Sequence, residues 1–447
     1  MRVLLFHGYM LRGTGSNIYN VNLARALARL GHEVHLLCQD RETEIEGVQI
    51  HNPDIGGLLP VYVKDPYEGF EVKAFPELTD AELDRYIEAN VAAVREVASR
   101  AGGIDAALAN HLVMGPAILA RADVGPFAAK IHGSALEYTV KPHPRFLPHA
   151  REGMEAATGV LVGSRHTAES LWQALPDISG LREKTRLGPP GVDTDEFCPG
   201  PKREAEVVFV GKLIVSKGVD LLLAAWPMVA AANPGARLRI AGYGEYEAGL
   251  RRLLAALDRG DLSDAREVAL AGRGLEGGEE EPLSILSAFL AEPPAGYADA
   301  ARACAGSAEL IGRLEHDEVA ELLPGAEALV MPSTFPEAFG MVAAEAAACG
   351  ALPVSAGHSG MLEVSRQLAA ALPAEVGGLT SFAVERGAVE SIAQRLNAWL
   401  ALPEAERAAA REALVATAHR LWSWEGVARG VLSASAGELE ASPYRDS

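Results

Sequence analysis

Cysteine is scarce in this chain, and the four that occur, Cys38, Cys198, Cys304 and Cys349, form no CxxC pair. That pattern fits reduced thiols in a cytoplasmic protein better than a disulfide framework or a zinc site. Long apolar runs are missing too. No stretch reaches the ~20 residues a membrane-spanning helix needs. The run Val3 to Phe6 is too short for a secretory leader, and polar residues follow it at once. Positive charge is in deficit: the formal net charge is −20, which argues against DNA or RNA as the main partner.

Apolar residues, by contrast, make up 49% of the chain. A core of that content over 447 residues is expected to split into two or three domains. Val3 to Phe6 reads as a buried first strand, followed by a loop with Gly13-Thr14-Gly15, a helix from about 18 to 30 and a second strand over 33–38. This strand-loop-helix-strand opening starts a doubly wound sheet. A dinucleotide fingerprint ending on Asp40 fits poorly, because position 18 is Ile and Gly13 lies six residues beyond the strand. The better reading is a glycine loop that lets backbone approach a ligand. Residues 41–78 look irregular. Thr79-x-x-Glu82 is a capping box that opens a long amphipathic helix with Leu83, Tyr86, Ile87, Val91 and Val94 on one face. Further strands, 106–109, 128–131 and 160–162, end in Asn110-His111, His132-Gly133-Ser134 and Gly163-Ser164. Ligands of open parallel sheets sit outside such strand ends. The segment 138–151 carries Lys141, His143, Arg145, His149 and Arg151, suited to an anionic group or an acidic membrane surface, or simply a solvated loop.

Residues 189–201 are dense in Pro and Gly and read as an interdomain linker. Asp193-Thr194-Asp195 resembles a metal-holding Asp-x-Asp, but no strand precedes it. A second doubly wound sheet starts at 207–210 and runs into Gly211-Lys212-Leu213-Ile214-Val215-Ser216-Lys217-Gly218, whose lysines suit phosphate neutralisation. Gly242-Tyr243-Gly244 ends another strand. Residues 258–305 exceed what one crossing needs and read as an insertion. The strand 328–331 leads to Pro332 through Gly350, where Glu337 precedes and Glu345 lies inside a helix expected to start near Phe339. A helix N-terminus seats phosphate, and carboxylates beside it accept hydrogen bonds from sugar hydroxyls.

These motifs in this order resemble the retaining GT-B glycosyltransferases, glycosyltransferase family four. They are Gly13-Thr14-Gly15, His132, Ser164, Gly191-Val192-Asp193 with Phe197 and Pro199, Gly211 to Gly218, Gly242-x-Gly244, Glu337 to Glu345 and Ser423-Trp424-Glu425. The resemblance implies an α/β GT-B fold, two Rossmann-like domains facing each other across a cleft. Its parts would be an acceptor domain over 1–190, a linker over 191–203 and a nucleotide-sugar domain over 204–421. A helix over 422–435 would rejoin the first domain, and 436–447 would be a tail.

The resemblance also implies the donor site. Glu345 would accept the ribose hydroxyls and Glu337 those of the transferred sugar. Lys212 and Lys217 would neutralise the diphosphate with backbone N–H groups of Phe339, Gly340, Met341 and Val342. Gly312, Arg313 and Leu314 would pack near the base. Gly211, Gly13 and Gly15 would admit close backbone approach, and His132 would contact the sugar near its reacting carbon. His132, Lys217 and Glu337 would be the catalytic group. The family usually carries Arg where Lys212 stands, so the charge is kept and the bidentate fork lost. The implied chemistry is hexosyl transfer with retention, without a divalent metal or resident cofactor. The co-substrate would be a UDP-, GDP- or ADP-sugar, UDP favoured. The leaving phosphate itself would take the acceptor's proton. Asn110, His111, Ser134, Lys141, Arg145 and Arg151 are the candidate acceptor residues. Their cations point to a small phosphorylated or carboxylated acceptor, with a glycan or lipid-linked acceptor at the inner membrane surface also open. Two other readings are a nucleotide-sugar 2-epimerase of the same fold and a non-catalytic nucleotide-sugar binder.

Overall fold

The computed structural model describes residues 1–12, 15–62, 67, 69–337 and 339–438. The chain divides into two compact units, Met1–Gly191 joined by the chain from Trp422 onward, and Val192–Leu421.

The first unit holds β1 (Arg2–Phe6), β2 (Glu33–Leu37), β3 (Val48–His51), a small pair β4 (Leu58–Val61) and β5 (Glu71–Ala74), then β6 (Ala106–Asn110), β7 (Phe127–Ile131), β8 (Gly159–Val162) and β9 (Thr185–Leu187). Its main sheet runs β3-β2-β1-β6-β7-β8-β9, and every adjacent pair is parallel. Parallel strands covered on both faces must be apolar along their whole length. Accordingly Val3, Leu4, Leu5 and Phe6 are all buried, as are Ala106 to Asn110. Strand order reverses between β1 and β6, and the carboxyl ends of strands at such a switch point are where open α/β sheets bind ligands. His7 and Asn110 lie there.

The Thr79 capping box forms as the spacing predicts. The Thr79 hydroxyl accepts from Glu82 N–H and the Glu82 carboxylate accepts from Thr79 N–H. The helix Asp80–Arg100 then buries Leu83, Tyr86, Ile87, Val91 and Val94. The irregular reading of 41–78 is corrected: β3, β4 and β5 fall inside it. Each is only four residues long and β3 is an edge strand, so alternation is too brief to stand out in the sequence. The segment 138–151 is not an open loop either. It contains the end of a π-helical turn, Ala135–Val140, and the start of a helix, Leu147–Ala156. The last helix, Trp424–Ser435, packs on the first unit: its Trp424 ring meets Tyr19 at 5.6 Å, and Ser435 C=O accepts from the Thr158 hydroxyl.

The second unit contains β10 (Glu206–Val210), β11 (Arg237–Ala241), β12 (Ala308–Gly312), β13 (Ala328–Met331), β14 (Leu352–Ala356) and β15 (Ser381–Phe382). They form one parallel sheet in the order β12-β11-β10-β13-β14-β15. Its switch point lies between β10 and β13, so the loops after Val210 and Met331 are the expected ligand loops. The insertion is folded, not loose. Its helices Leu262–Ala271, Ser284–Ala291 and Tyr297–Ala303 bury Leu286, Phe289, Leu290 and Tyr297, and the Tyr297 hydroxyl donates to Ala224 C=O at 2.6 Å.

Candidate functional site

In the second unit, the loop after β10 runs through a 3-10 turn, Val215–Lys217, to Gly218, which begins the helix Val219–Ala232 in left-handed conformation (φ 66°). The loop after β13 lies against this turn, Thr334 N–H donating to Ser216 C=O at 2.9 Å. Contact is close enough that a Cβ at Gly218 would sit 2.1 Å from Pro332 O. Both the φ and the clash therefore demand glycine. Gly218→Ala is expected to cost more than ~2 kcal/mol, left-handed strain plus displacement of the Pro332 backbone; chemical denaturation measures it. An unchanged midpoint would refute this account of the loop.

The two loops bring Lys217 and Glu337 together as an ion pair, each about a quarter exposed. Glu337 is held from several sides. Its Oε1 accepts from the Ser333 hydroxyl at 2.8 Å, its N–H donates to Ser359 Oγ at 2.9 Å, and its C=O accepts from Gly360 N–H at 2.9 Å. His358 contacts both Ser333 C=O (2.9 Å) and Ser359 Oγ (3.1 Å). Ser333, His358 and Ser359 were not singled out in the sequence, because their roles depend on β14 lying beside β13.

The helix after this loop runs Met341–Ala348, two residues later than expected, because Gly340 adopts a non-helical conformation as N-cap. No side chain among the described residues caps it, and N–H groups at such a helix start can bind an anion. Phe339, Met341 and Val342 are half-buried and Gly340 is buried at this end. Glu345, one turn inside, is only 5% exposed. Burial first, and the Glu196 carboxylate second, push its carboxyl up to about 7. Lys212 is exposed and forms no ion pair among the described residues. At the tips of β11 and β12, Gly242 N–H donates to Gly312 C=O at 2.8 Å, Leu213 N–H donates to Tyr243 C=O at 2.8 Å, and the Arg313 guanidinium lies 5.0 Å over the exposed Tyr243 ring. Leu314 is half-buried next to them.

In the first unit a polar chain, buried except at its half-buried His132 end, crosses the switch point. Asn20 Nδ2 donates to His7 Nδ1 (3.1 Å), Asn110 Nδ2 donates to Asn20 Oδ1 (2.7 Å), and His132 Nε2 meets Asn110 Oδ1 (2.8 Å). His7 Nε2 faces Asn17 Oδ1 at 2.9 Å. The oxygens can only accept, so both Nε2 atoms carry hydrogen in this arrangement. Burial pushes His7 down to about 4, and His132 and His111 well below the ordinary imidazole range. All three rings are therefore neutral at physiological pH. His111 sits in left-handed conformation (φ 68°) among the rings of His7, Tyr9, Tyr62 and His132, and neither of its nitrogens has a hydrogen-bond partner among the described residues. Asn110→Ala would strip partners from both Asn20 and His132. The expected loss is ~1–3 kcal/mol, read by chemical denaturation.

The sequence profile of Glycosyltransferase Family 4 matches residues 13–196, and that of Glycosyl transferases group 1 matches 300–414. The D-inositol 3-phosphate glycosyltransferase of Geodermatophilus obscurus is 26% identical over 96% of this chain and 87% of its own length. The protein of the same description from Segniliparus rotundus is 32% identical over 56% of this chain, an alignment that spans 46% of that relative. Among solved structures, sucrose-phosphate synthase from Thermosynechococcus elongatus superimposes with a TM-score of 0.60 at 20% identity, covering 96% of each chain. The chain belongs to the group 1 glycosyltransferases and has the GT-B fold.

The remaining candidate residues of this glycosyltransferase are placed as follows. Gly13 lies outside the described residues, and Gly15 is the first residue of the helix Gly15–Arg29. Asp40, the dinucleotide candidate, accepts from the N–H groups of Leu11, Glu42 and Thr43, which makes it a loop cap. Ser134 is the half-buried residue before the π-helical turn. The three acceptor-side cations each face a carboxylate of their own unit: Lys141 with Glu137 (2.7 Å), Arg145 with Asp80 (3.5 Å) and Arg151 with Asp177 (2.8 Å). Exposed pairs of this kind contribute only ~0–1 kcal/mol, so an anionic ligand can compete for the cation. Asp193 caps its own turn, accepting from Asp195 N–H at 3.1 Å. No helix among the described residues is long and apolar enough to cross a membrane.

Proposed function

We propose that this glycosyltransferase moves a hexosyl group from a nucleoside-diphosphate sugar, UDP-sugar first among the candidates, to a hydroxyl of a small anionic acceptor, with retention at the anomeric carbon. The observation that carries the reading is the grouping at the β10/β13 switch point. Lys217 is paired with Glu337 beside an uncapped helix N-terminus, and Glu345 lies buried one turn further in. Lys217, Lys212 and the N–H groups of Met341 and Val342 supply positive charge for a departing diphosphate, the role a divalent metal plays in other transferases. Glu337, freed from Lys217 by the incoming phosphate, accepts hydroxyls of the sugar, and Glu345 those of the ribose. Gly312 to Leu314, with Tyr243, receive the base. His132, neutral and oriented by Asn110, contacts the sugar near the reacting carbon, and Asn110, His111, Ser134, Lys141, Arg145 and Arg151 serve the acceptor. The departing phosphate takes the acceptor's proton, so no general base is assigned.

The D-inositol 3-phosphate acceptor named for two relatives supports an anionic small molecule. A cytoplasmic setting accords with the four free cysteines, and peripheral contact at the inner membrane surface would serve a lipid-linked acceptor. The test is a thermal-shift panel of UDP, GDP, ADP and their sugars, followed by chromatography of products with phosphorylated acceptors. A new glycoside of unchanged anomeric configuration supports the reading. Epimerised nucleotide-sugar without glycoside would make the protein an epimerase, and binding with neither reaction would make it a binder.

A further inference from the structure

The insertion contributes one side chain to the lysine loop. Within it, Gly272 and Glu281 pair across a tight turn, Arg273 N–H donating to Glu281 C=O at 3.1 Å. A Cβ at Gly272 would lie 1.9 Å from Glu281 O, so this closure is tight. The turn holds a 3-10 segment, Arg273–Glu276, and aims the Glu276 carboxylate at the first residue of the other 3-10 turn, where Val215 N–H donates to Glu276 Oε2 at 2.8 Å. The Glu276 side chain is only 17% exposed, and its other oxygen lies 3.6 Å from Arg273 Nη1. Val215 begins the three-residue turn that ends in Lys217, and among the described residues the Ile214 N-cap has no side-chain cap of its own. A charge-assisted bond at a turn's first N–H restricts that turn's pivot.

We propose that Glu276 is a positioning residue for Lys217: it fixes the 215–217 turn so that the Lys217 ammonium stands where the donor diphosphate binds. This rests on the donor-site reading above. The insertion thereby acts on the reaction through one backbone N–H, without touching the donor. Glutamine at 276 keeps an oxygen for Val215 N–H, whereas alanine removes it.

The probe is whichever of UDP, GDP or ADP raises the wild-type melting temperature most, titrated calorimetrically against Glu276→Ala, Glu276→Gln, Arg273→Gln and Lys217→Ala. Expected are a loss of about fivefold to tenfold in affinity for Glu276→Ala, the weight of one such bond, and values within about twofold of wild type for Glu276→Gln and Arg273→Gln. Glu276→Ala combined with Lys217→Ala should bind no worse than Lys217→Ala alone, because the two act through one group. Wild-type affinity in Glu276→Ala, equal losses in alanine and glutamine variants, or full additivity in the double variant would each overturn the inference while leaving the donor site standing. If none of the three diphosphates binds the wild type, the donor reading fails and takes this inference with it. Should Glu276→Ala not fold, loss of affinity in Glu276→Gln equal to that in Lys217→Ala decides against it.

Discussion

Lys217→Ala is expected to lower turnover by ~10²–10³, the usual cost of removing one group that stabilises developing charge. Two effects compete in that variant. Removing the ammonium leaves Glu337 without its ion partner, but the carboxylate keeps the Ser333 hydroxyl as a donor and is exposed enough to be hydrated. The melting temperature should therefore change little while the rate collapses. Charge develops on the departing phosphate only as the glycosidic bond breaks, so the loss should fall mainly on kcat and less on KM. Lys217→Arg keeps the charge with a different, planar geometry, and should recover part of the rate. Lys212→Ala should cost less, since Lys212 is exposed and unpaired among the described residues. Steady-state kinetics of the three variants are the measurement, and near-normal kcat in Lys217→Ala would remove the loop from the mechanism.

Glu345→Gln should weaken nucleotide binding at least about tenfold, given that hydrogen bonds to a charged group are worth ~1.5–3 kcal/mol. It should also remove a pH dependence. Burial holds the free carboxyl at about 7, so near neutrality it is part protonated. In the proposed site, ribose hydroxyls would donate to the carboxylate and favour its charged form, so binding would expel a proton. Wild-type affinity should accordingly rise as pH increases through 6 to 7 and level off above, with proton release detectable by calorimetry in buffers of different ionisation enthalpy. The Gln variant should show neither.

The stability sign is opposite. Because the folded-state value lies above the ordinary 4.5, the folded chain binds more protons than the unfolded chain between those limits. Stability relative to Glu345→Gln therefore falls as pH rises from about 4.5 to about 7. A flat difference between the two proteins would contradict the desolvated environment assigned to this carboxyl.

Glu345 also shows how far a one-dimensional reading extends. Its spacing from Glu337 was visible in the chain, and so was the helix N-terminus between them. Its altered ionisation was not, since this requires the helix Met341–Ala348 to be buried against its neighbours and Glu196 to lie close. The acceptor-side cations illustrate the converse. Lys141, Arg145 and Arg151 look like a free basic cluster when read in order, yet each folds beside a carboxylate contributed by another segment or helical turn. Asp80 and Asp177 are far from their partners in sequence, so no local pattern announces the pairing.

Periodicity and strand-end glycines determined by themselves that the chain carries two doubly wound sheets, because these depend on residues near one another along the chain, and the order of the motifs supplied the resemblance to glycosyltransferases. Only the tertiary structure decided how the loops work. Strand order puts the loops after β10 and β13 side by side, which pairs Lys217 with Glu337 across 120 residues and lets the insertion reach Val215 through Glu276. Hydrogen bonds and burial arise between segments that meet only when the sheet assembles, and a sequence pattern carries no record of such distances.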